Sequence, residues 1–173
     1  MSEERVEEKR RDRKFLRNFL IKVALIAVAT WAIVAFLVFP KRIDGNSGYP
    51  AVRDGDLGFF VRIGEPAVGD FVAYAGIDGK TRFGRIVAEG PCEVDVREDG
   101  GYVVDGKFPD EDGFYETRRN DAADLEYPLE VEDGSYFILN DARKNLDDSR
   151  TNGTVSKDEI LGTLEFLFRR RGI

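Results

Sequence analysis

The chain has 173 residues, 42% apolar and 34% charged, enough for one domain with a core plus an anchor and too apolar for a disordered chain. It has no histidine and one cysteine, Cys92, which excludes Ser-His-Asp and Cys-His catalysis, histidine or cysteine metal cages and an internal disulfide; no metal or cofactor is expected, and a general base must be a lysine, a carboxylate or a terminal amine. The net charge of −7 divides unevenly: residues 1–17 carry +2, whereas residues 40–173 carry −10, from 18 basic and 28 acidic groups, too acidic for a nucleic-acid partner.

Residues 1–17, MSEERVEEKRRDRKFLR, are almost all charge and read as a solvated tail or a short surface helix. Residues 18–40 read as a transmembrane anchor. From Phe19 to Phe39 run 21 residues of which only Lys22 is charged. At about 1.5 Å each they span roughly 30 Å, the hydrocarbon thickness of a bilayer, and Lys22 near one end can reach the headgroups. The run is apolar on all faces and too long for a core helix. It is also too long for a cleaved signal peptide and lacks the small-x-small site that cleavage needs. Arg5, Lys9, Arg10, Arg11, Arg13, Lys14 and Arg17 outnumber Lys41 and Arg42 beyond the run. The positive-inside rule then places the N-terminus in the cytoplasm and residues 41–173 outside, as a single-pass cell-membrane protein.

Residues 44–56 read DGNSGYPAVRDGD, a glycine-rich loop carrying Ser47 eight residues past the apolar run. A serine in such a stretch is ordinarily a turn residue. GDLGFFVRI, VGDFVAYAG, TRFGRIVAEG and GYVVDGK read as short strands bounded by glycine and aspartate. Residues 110–128 are polar and read as a loop or short helix over the sheet. EVEDGSYFILND reads as a turn and a strand. The last segment, SKDEILGTLEFLFRRR, carries two signals: Ser156 with Glu159 three residues on is a helix-start pattern, while LGTLEFLF alternates as a strand does. The expected architecture is an anchor followed by one mostly-β domain, residues 41–173.

The order of these features resembles bacterial type I signal peptidase in its single-span Gram-positive form. A basic N-terminus and one span precede a Ser-x-x-Pro loop and DGD. VGDFVAY, GRIVAEG, VVDGK and LNDARKNLDDSRTNGTV follow, and ILGTLEF closes the chain. The resemblance runs from about residue 15 to the end. It implies coiled, mostly antiparallel β-sheets, and cleavage of signal peptides from exported preproteins at the outer face of the membrane by a serine nucleophile and a neutral lysine base. Such a lysine, with an ordinary pKa of about 10.4, works only where its environment depresses that value.

Carried over residue by residue, the resemblance implies Ser47 as nucleophile, with the Ser47 amide and its upstream neighbour at Gly45 as oxyanion donors. Gly48 stands where the family has methionine, and Asp54, Gly55 and Asp56 match the acidic turn. The lysine position falls on Gly84, ahead of Arg85, so the base position is vacant. The serine that steadies the lysine falls on Leu146. Asp141, Arg143, Asp148, Ser149 and Arg150 keep the family pattern and read as structural support. Lys80, four residues before Gly84 and roughly 13 Å away along a strand, and Lys144 are the candidates for a relocated base; Arg82 and Arg85 stay protonated. Two readings follow: a non-catalytic accessory homologue that holds signal peptides or exported preproteins, with pilins in pilus assembly as the family precedent, or an active serine endopeptidase with a relocated lysine. A self-cleaving serine-lysine protease of the repressor type is a more distant possibility, against which the span argues. Arg169 to Arg171 read as a solvated tail end or as contacts to anionic lipid.

Overall fold

The computed structural model describes residues 3–109 and 116–169 and divides into two units, Met1–Val38 and Phe39–Ile173. The first holds one helix, α1 (Glu3–Leu37), of 35 residues. Tail and apolar run form a single helix because no glycine or proline interrupts them. Within it Arg13–Leu37 is long and apolar enough to cross a membrane, and its large apolar side chains, such as Trp31 and Phe36, are exposed. The helix stops at Leu37, ahead of Pro40, whose ring disfavours helical backbone at the residue before it.

The second unit is mostly β. Its strands are β1 (Val38–Arg42), β2 (Leu57–Val61), β3 (Phe71–Ala75), β4 (Thr81–Glu89), β5 (Cys92–Arg97), β6 (Gly101–Val104), β7 (Leu129–Val131), β8 (Ser135–Leu139), β9 (Val155–Ser156) and β10 (Ile160–Phe168). Seven form one sheet in the order β1-β2-β10-β3-β4-β8-β9, and three form a second, β6-β5-β7. From β2 to β9 the large sheet is antiparallel at every step, as is the small one. The last strand, β10, is inserted between β2 and β3.

The two signals in the final segment are both used. Ser156 and Glu159 form a capping box, but it opens only a single 3-10 turn, Lys157–Glu159, before β10 begins. Strands β1, β5, β7 and β9 are absent from the sequence reading, which carries the anchor to residue 40 where β1 already begins at Val38. CEVDVR does alternate, burying Val94 and Val96 and exposing Glu93, but its acidic residues are poor strand formers that mask the pattern. Residues 116–128 are irregular with turns, and residues 110–115 lie outside the described residues.

Three apolar clusters follow from strand alternation. On one face of the large sheet, Phe60, Phe71, Ala73 and Phe83 pack with Ile43 and Val52. Farther along, Val87, Ala88, Phe137 and Leu139 meet Val94, Val96, Tyr102 and Val131 of the small sheet. On the opposite face lie Val72, Tyr74, Ile86, Tyr136, Ile138 and Val155.

Candidate active site

The Ser47 loop starts where β1 ends. Ile43 donates its N–H to the Asp56 carbonyl at 2.9 Å and accepts from the Gly55 N–H at 2.8 Å, which closes residues 43–56 into a compact loop. Ile43 and Val52 fasten it to Phe60, Phe71 and Phe83. Side-chain carbonyls and carboxylates satisfy its amides: Asp54 Oδ1 accepts from Gly45 N–H at 2.7 Å, and Asp56 Oδ2, in a nearly buried side chain, accepts from Arg53 N–H at 3.0 Å. Gly48 is buried at the base. A Cβ there would stand 2.6 Å from Val52 Cβ and 2.9 Å from the Phe71 ring, so the loop has closed down on the space a methionine would need. Ser47 itself is half-buried, and its carbonyl accepts the Ala142 N–H at 3.1 Å. The fold thereby joins the Ser47 loop to the segment after β8.

That segment is organised by a buried ion pair. Asp148 and Arg150 have no exposed side-chain surface and meet at 2.7 Å. Asp148 also accepts the Asn140 N–H at 2.9 Å and the Arg150 N–H at 3.0 Å, acting as N-cap of the one-turn helix α2 (Ser149–Asn152). Arg150 spends its remaining donors on the carbonyls of Arg118, Arg143 and Asn145. Ser149 Oγ accepts the Ile138 N–H of β8 at 2.9 Å. Arg143 is buried with its guanidinium 5.7 Å from the Tyr102 ring centroid. Asp141 receives two bonds from Arg85 of β4, at 2.8 and 2.6 Å. Asp148, Ser149 and Arg150 thus tie α2 to β8 and its flanking segment, and Asp141 ties that segment to β4. The Arg85–Asp141 bridge joins residues matched separately in sequence, and only the fold shows that they meet.

Gly84 pairs with Val72 of β3 and shares a sheet face with Arg82 and Ile86. A Cβ on Gly84 would lie 2.6 Å from Ile138 Cγ2 and 3.2 Å from the Leu139 carbonyl oxygen. The position is therefore both without an amine and closed over by β8. Arg82, its neighbour on that face, is tied to Asp78 and, at 2.9 Å, to Asp147. Leu146 is half-buried. Every lysine whose side chain is among the described residues is exposed: Lys14, Lys22, Lys41, Lys80, Lys107, Lys144 and Lys157. The Lys80 side chain is 82% exposed and lies 3.3 Å from Asp78. Lys157 bonds Glu65 at 2.7 Å, and that hydrogen bond moves its pKa up, away from the neutral amine a base requires. A lysine base needs a buried amine, and none of these side chains is buried.

A family model described as signal peptidase, peptidase S26, matches residues 16–169. Signal peptidase I S of Bacillus subtilis is 30% identical over 160 residues, covering 85% of this chain and 86% of its own. Signal peptidase I of Bacillus licheniformis is 28% identical over 174 residues, covering 94% of both chains. Among solved structures, the crystal structure of a signal peptidase I from Enterococcus faecalis superposes with a TM-score of 0.50 at 25% identity, over 60% of this chain and 99% of that one.

Proposed function

The chain belongs to the signal peptidase, peptidase S26, family, and from that premise we propose that it is a membrane-anchored member that holds an extended segment of an exported preprotein, a signal peptide or a pilin-type subunit, on the outer face of the cell membrane without hydrolysing it. The observation that carries this reading is the base position. Gly84 offers no side chain and no space for one, and each described lysine of residues 41–169 has an exposed side chain. A serine hydroxyl without a proton acceptor is a weak nucleophile. The Gly45 amide, a donor for an oxyanion in the family pattern, is already engaged by Asp54.

Support for peptide holding is architectural. The large sheet ends at β1 and β9, and an edge strand offers backbone donors and acceptors to an incoming extended chain. The Ser47 loop directly follows β1, so a segment added there would run beside it. Support for the anchor is the apolar, exposed stretch of α1, which water solvates poorly and lipid solvates well. The basic excess before it favours a cytoplasmic N-terminus.

The test uses the full chain in proteoliposomes with a model preprotein. Binding without cleavage is expected, unaffected by Ser47→Ala. Cleavage that Ser47→Ala abolishes would instead establish a working serine endopeptidase with a relocated base, and loss of both binding and cleavage would reject peptide holding as well.

A further inference from the structure

Gly84 is bordered by two buried polar groups that no described residue satisfies. Tyr74 of β3 and Asn140, just after β8, are 2% and 0% exposed. Among the described residues neither Tyr74 Oη nor Asn140 Oδ1 makes a hydrogen bond, although buried polar atoms ordinarily have a partner. Strand pairing brings them to one place. Tyr74 pairs with Arg82 and Val72 with Gly84. On the other side Arg85 pairs with Leu139 of β8, so Asn140, the next residue, stands beside Gly84. Tyr74 packs with Val72, Ile86 and Ile138, on the face where a Gly84 Cβ would meet Ile138, and by alternation Asn140 shares the face of Ile138. Both groups also border one turn. Asn140 Nδ2 donates to the Asn145 and Asp147 carbonyls at 3.1 and 3.3 Å, and the Tyr74 phenol feels the charges of Asp148 and Asp147.

We propose that one buried water binds beside Gly84, accepting a hydrogen bond from Tyr74 Oη and donating one to Asn140 Oδ1. The inference rests on the reading above only in taking Gly84 as the base position. The chemistry of the pair selects the ligand. Two carbonyls hold the Asn140 Nδ2 end, so the amide end that remains is a pure acceptor. Burial, reinforced by Asp148 and Asp147, raises the Tyr74 pKa, so the phenol keeps its proton and donates. An alkali cation or ammonium has no lone pair for that proton, and a simple anion has no proton for the amide oxygen. The charges nearby are already balanced, Asp148 by Arg150 and Asp147 by Arg82. Water is neutral, carries both functions and is at home in an interior where it makes roughly two to four hydrogen bonds. It acts here as a positioning group. It joins β3 to the backbone that leads through Asp141 to Ala142, whose N–H holds the Ser47 carbonyl. Far less basic than an amine, it does not supply the strong proton acceptor a serine nucleophile requires.

The experiment is a crystal structure of the full chain at a resolution that shows ordered water, with a second crystal soaked in rubidium bromide. One solvent peak is expected within hydrogen-bond distance of both Tyr74 Oη and Asn140 Oδ1, with no anomalous signal after the soak. A direct Tyr74–Asn140 bond, a peak reaching only one of the two atoms, or no peak overturns the proposal. So does a rubidium or bromide signal at that position, which would mark an ion site. In solution, Tyr74→Phe and Asn140→Ala should each raise the unfolding constant of the full chain. The double variant should fall short of the product of the two effects by about threefold or more, because either change alone already strands the water. Purely multiplicative effects would overturn a shared water, and the parent crystal decides the matter if a variant does not fold. Ser47-dependent cleavage of a preprotein would reject the non-hydrolysing reading and leave this site standing, whereas missing density rejects this site alone.

Discussion

Gly84 and Ile138 approach so closely across β4 and β8 that a Cβ on the glycine would stand 2.6 Å from Ile138 Cγ2. Adding even one methyl group to a filled core forces neighbours off their rotamers, typically at a cost of about 1–3 kcal/mol. Gly84→Ala is therefore expected to lower stability by about that amount in urea unfolding of the full chain in micelles. Ile138→Ala opens the space, so the double variant should be less damaged than the two single effects summed, with a coupling of about 0.5–3 kcal/mol. Strict additivity would show that the two positions do not touch.

The same geometry bears on restoring a base. Gly84→Lys with Leu146→Ser supplies the two missing groups but drives the new side chain into β8. Adding Ile138→Ala is expected to give a better-folded protein and detectable cleavage of a model preprotein, abolished by Ser47→Ala. A folded triple variant with no cleavage would count against placing the base position at Gly84.

The Asp148–Arg150 pair makes a different demand, because both side chains are fully buried. Breaking a buried pair by removing one partner leaves an uncompensated charge, at a cost of about 3–5 kcal/mol. Arg150→Leu is expected to lose that much in urea unfolding. Arg150→Lys should recover little of it, since one ammonium cannot reach both Asp148 oxygens and the carbonyls of Arg118, Arg143 and Asn145. Full recovery by lysine would mean that charge alone, and not the fork of donors, holds the segment.

Asp141 should act on the Ser47 loop from a distance. Its two bonds from Arg85 fix the backbone next to Ala142, and the Ala142 amide in turn holds the Ser47 carbonyl. Arg85 is partly exposed, so the expected stability loss of Asp141→Ala is modest, about 1–2 kcal/mol. The sharper readout is amide exchange at Ala142, which should accelerate more than that at Ile138, whose N–H is held by Ser149 Oγ in the core. Equal acceleration at both amides would indicate global loosening instead.

How far the sequence reveals this molecule depends on whether a contact is local or long-range. The long apolar helix is legible because a continuous apolar run without glycine or proline is a local property of the chain. Strands β2, β3, β4, β6 and β8 are legible as short β-rich runs bounded by glycine or aspartate, and β10 by its alternation, all local properties of the chain. Insertion of β10 between β2 and β3 is not, since register and sheet order depend on residues far apart in sequence. The capping box at Ser156 shows a true local signal that tertiary pairing limits to one turn. For the candidate site, motif order singles out Ser47, Gly84 and the Asp148–Arg150 segment. It carries no trace of Ile138 filling the place over Gly84.

Two buried phenols set the expected behaviour at high pH. Burial, reinforced by Asp148, pushes the Tyr127 pKa up to about 12, and burial likewise raises that of Tyr74. An unfolded tyrosine titrates near pH 10. The fold thus favours the protonated phenol, and this contribution to stability is fully present below about pH 10. It is lost as pH rises through about 12, because the unfolded chain releases the proton more readily. Among the described residues the Tyr127 hydroxyl has no hydrogen-bond partner, so Tyr127→Phe should be neutral, or stabilising by up to about 1 kcal/mol, at pH 7. The variant should also unfold at a higher pH than the parent and show one fewer phenol in the late step of a phenolate absorbance titration. An unchanged alkaline midpoint would show that Tyr127 ionises without unfolding the sheet around it.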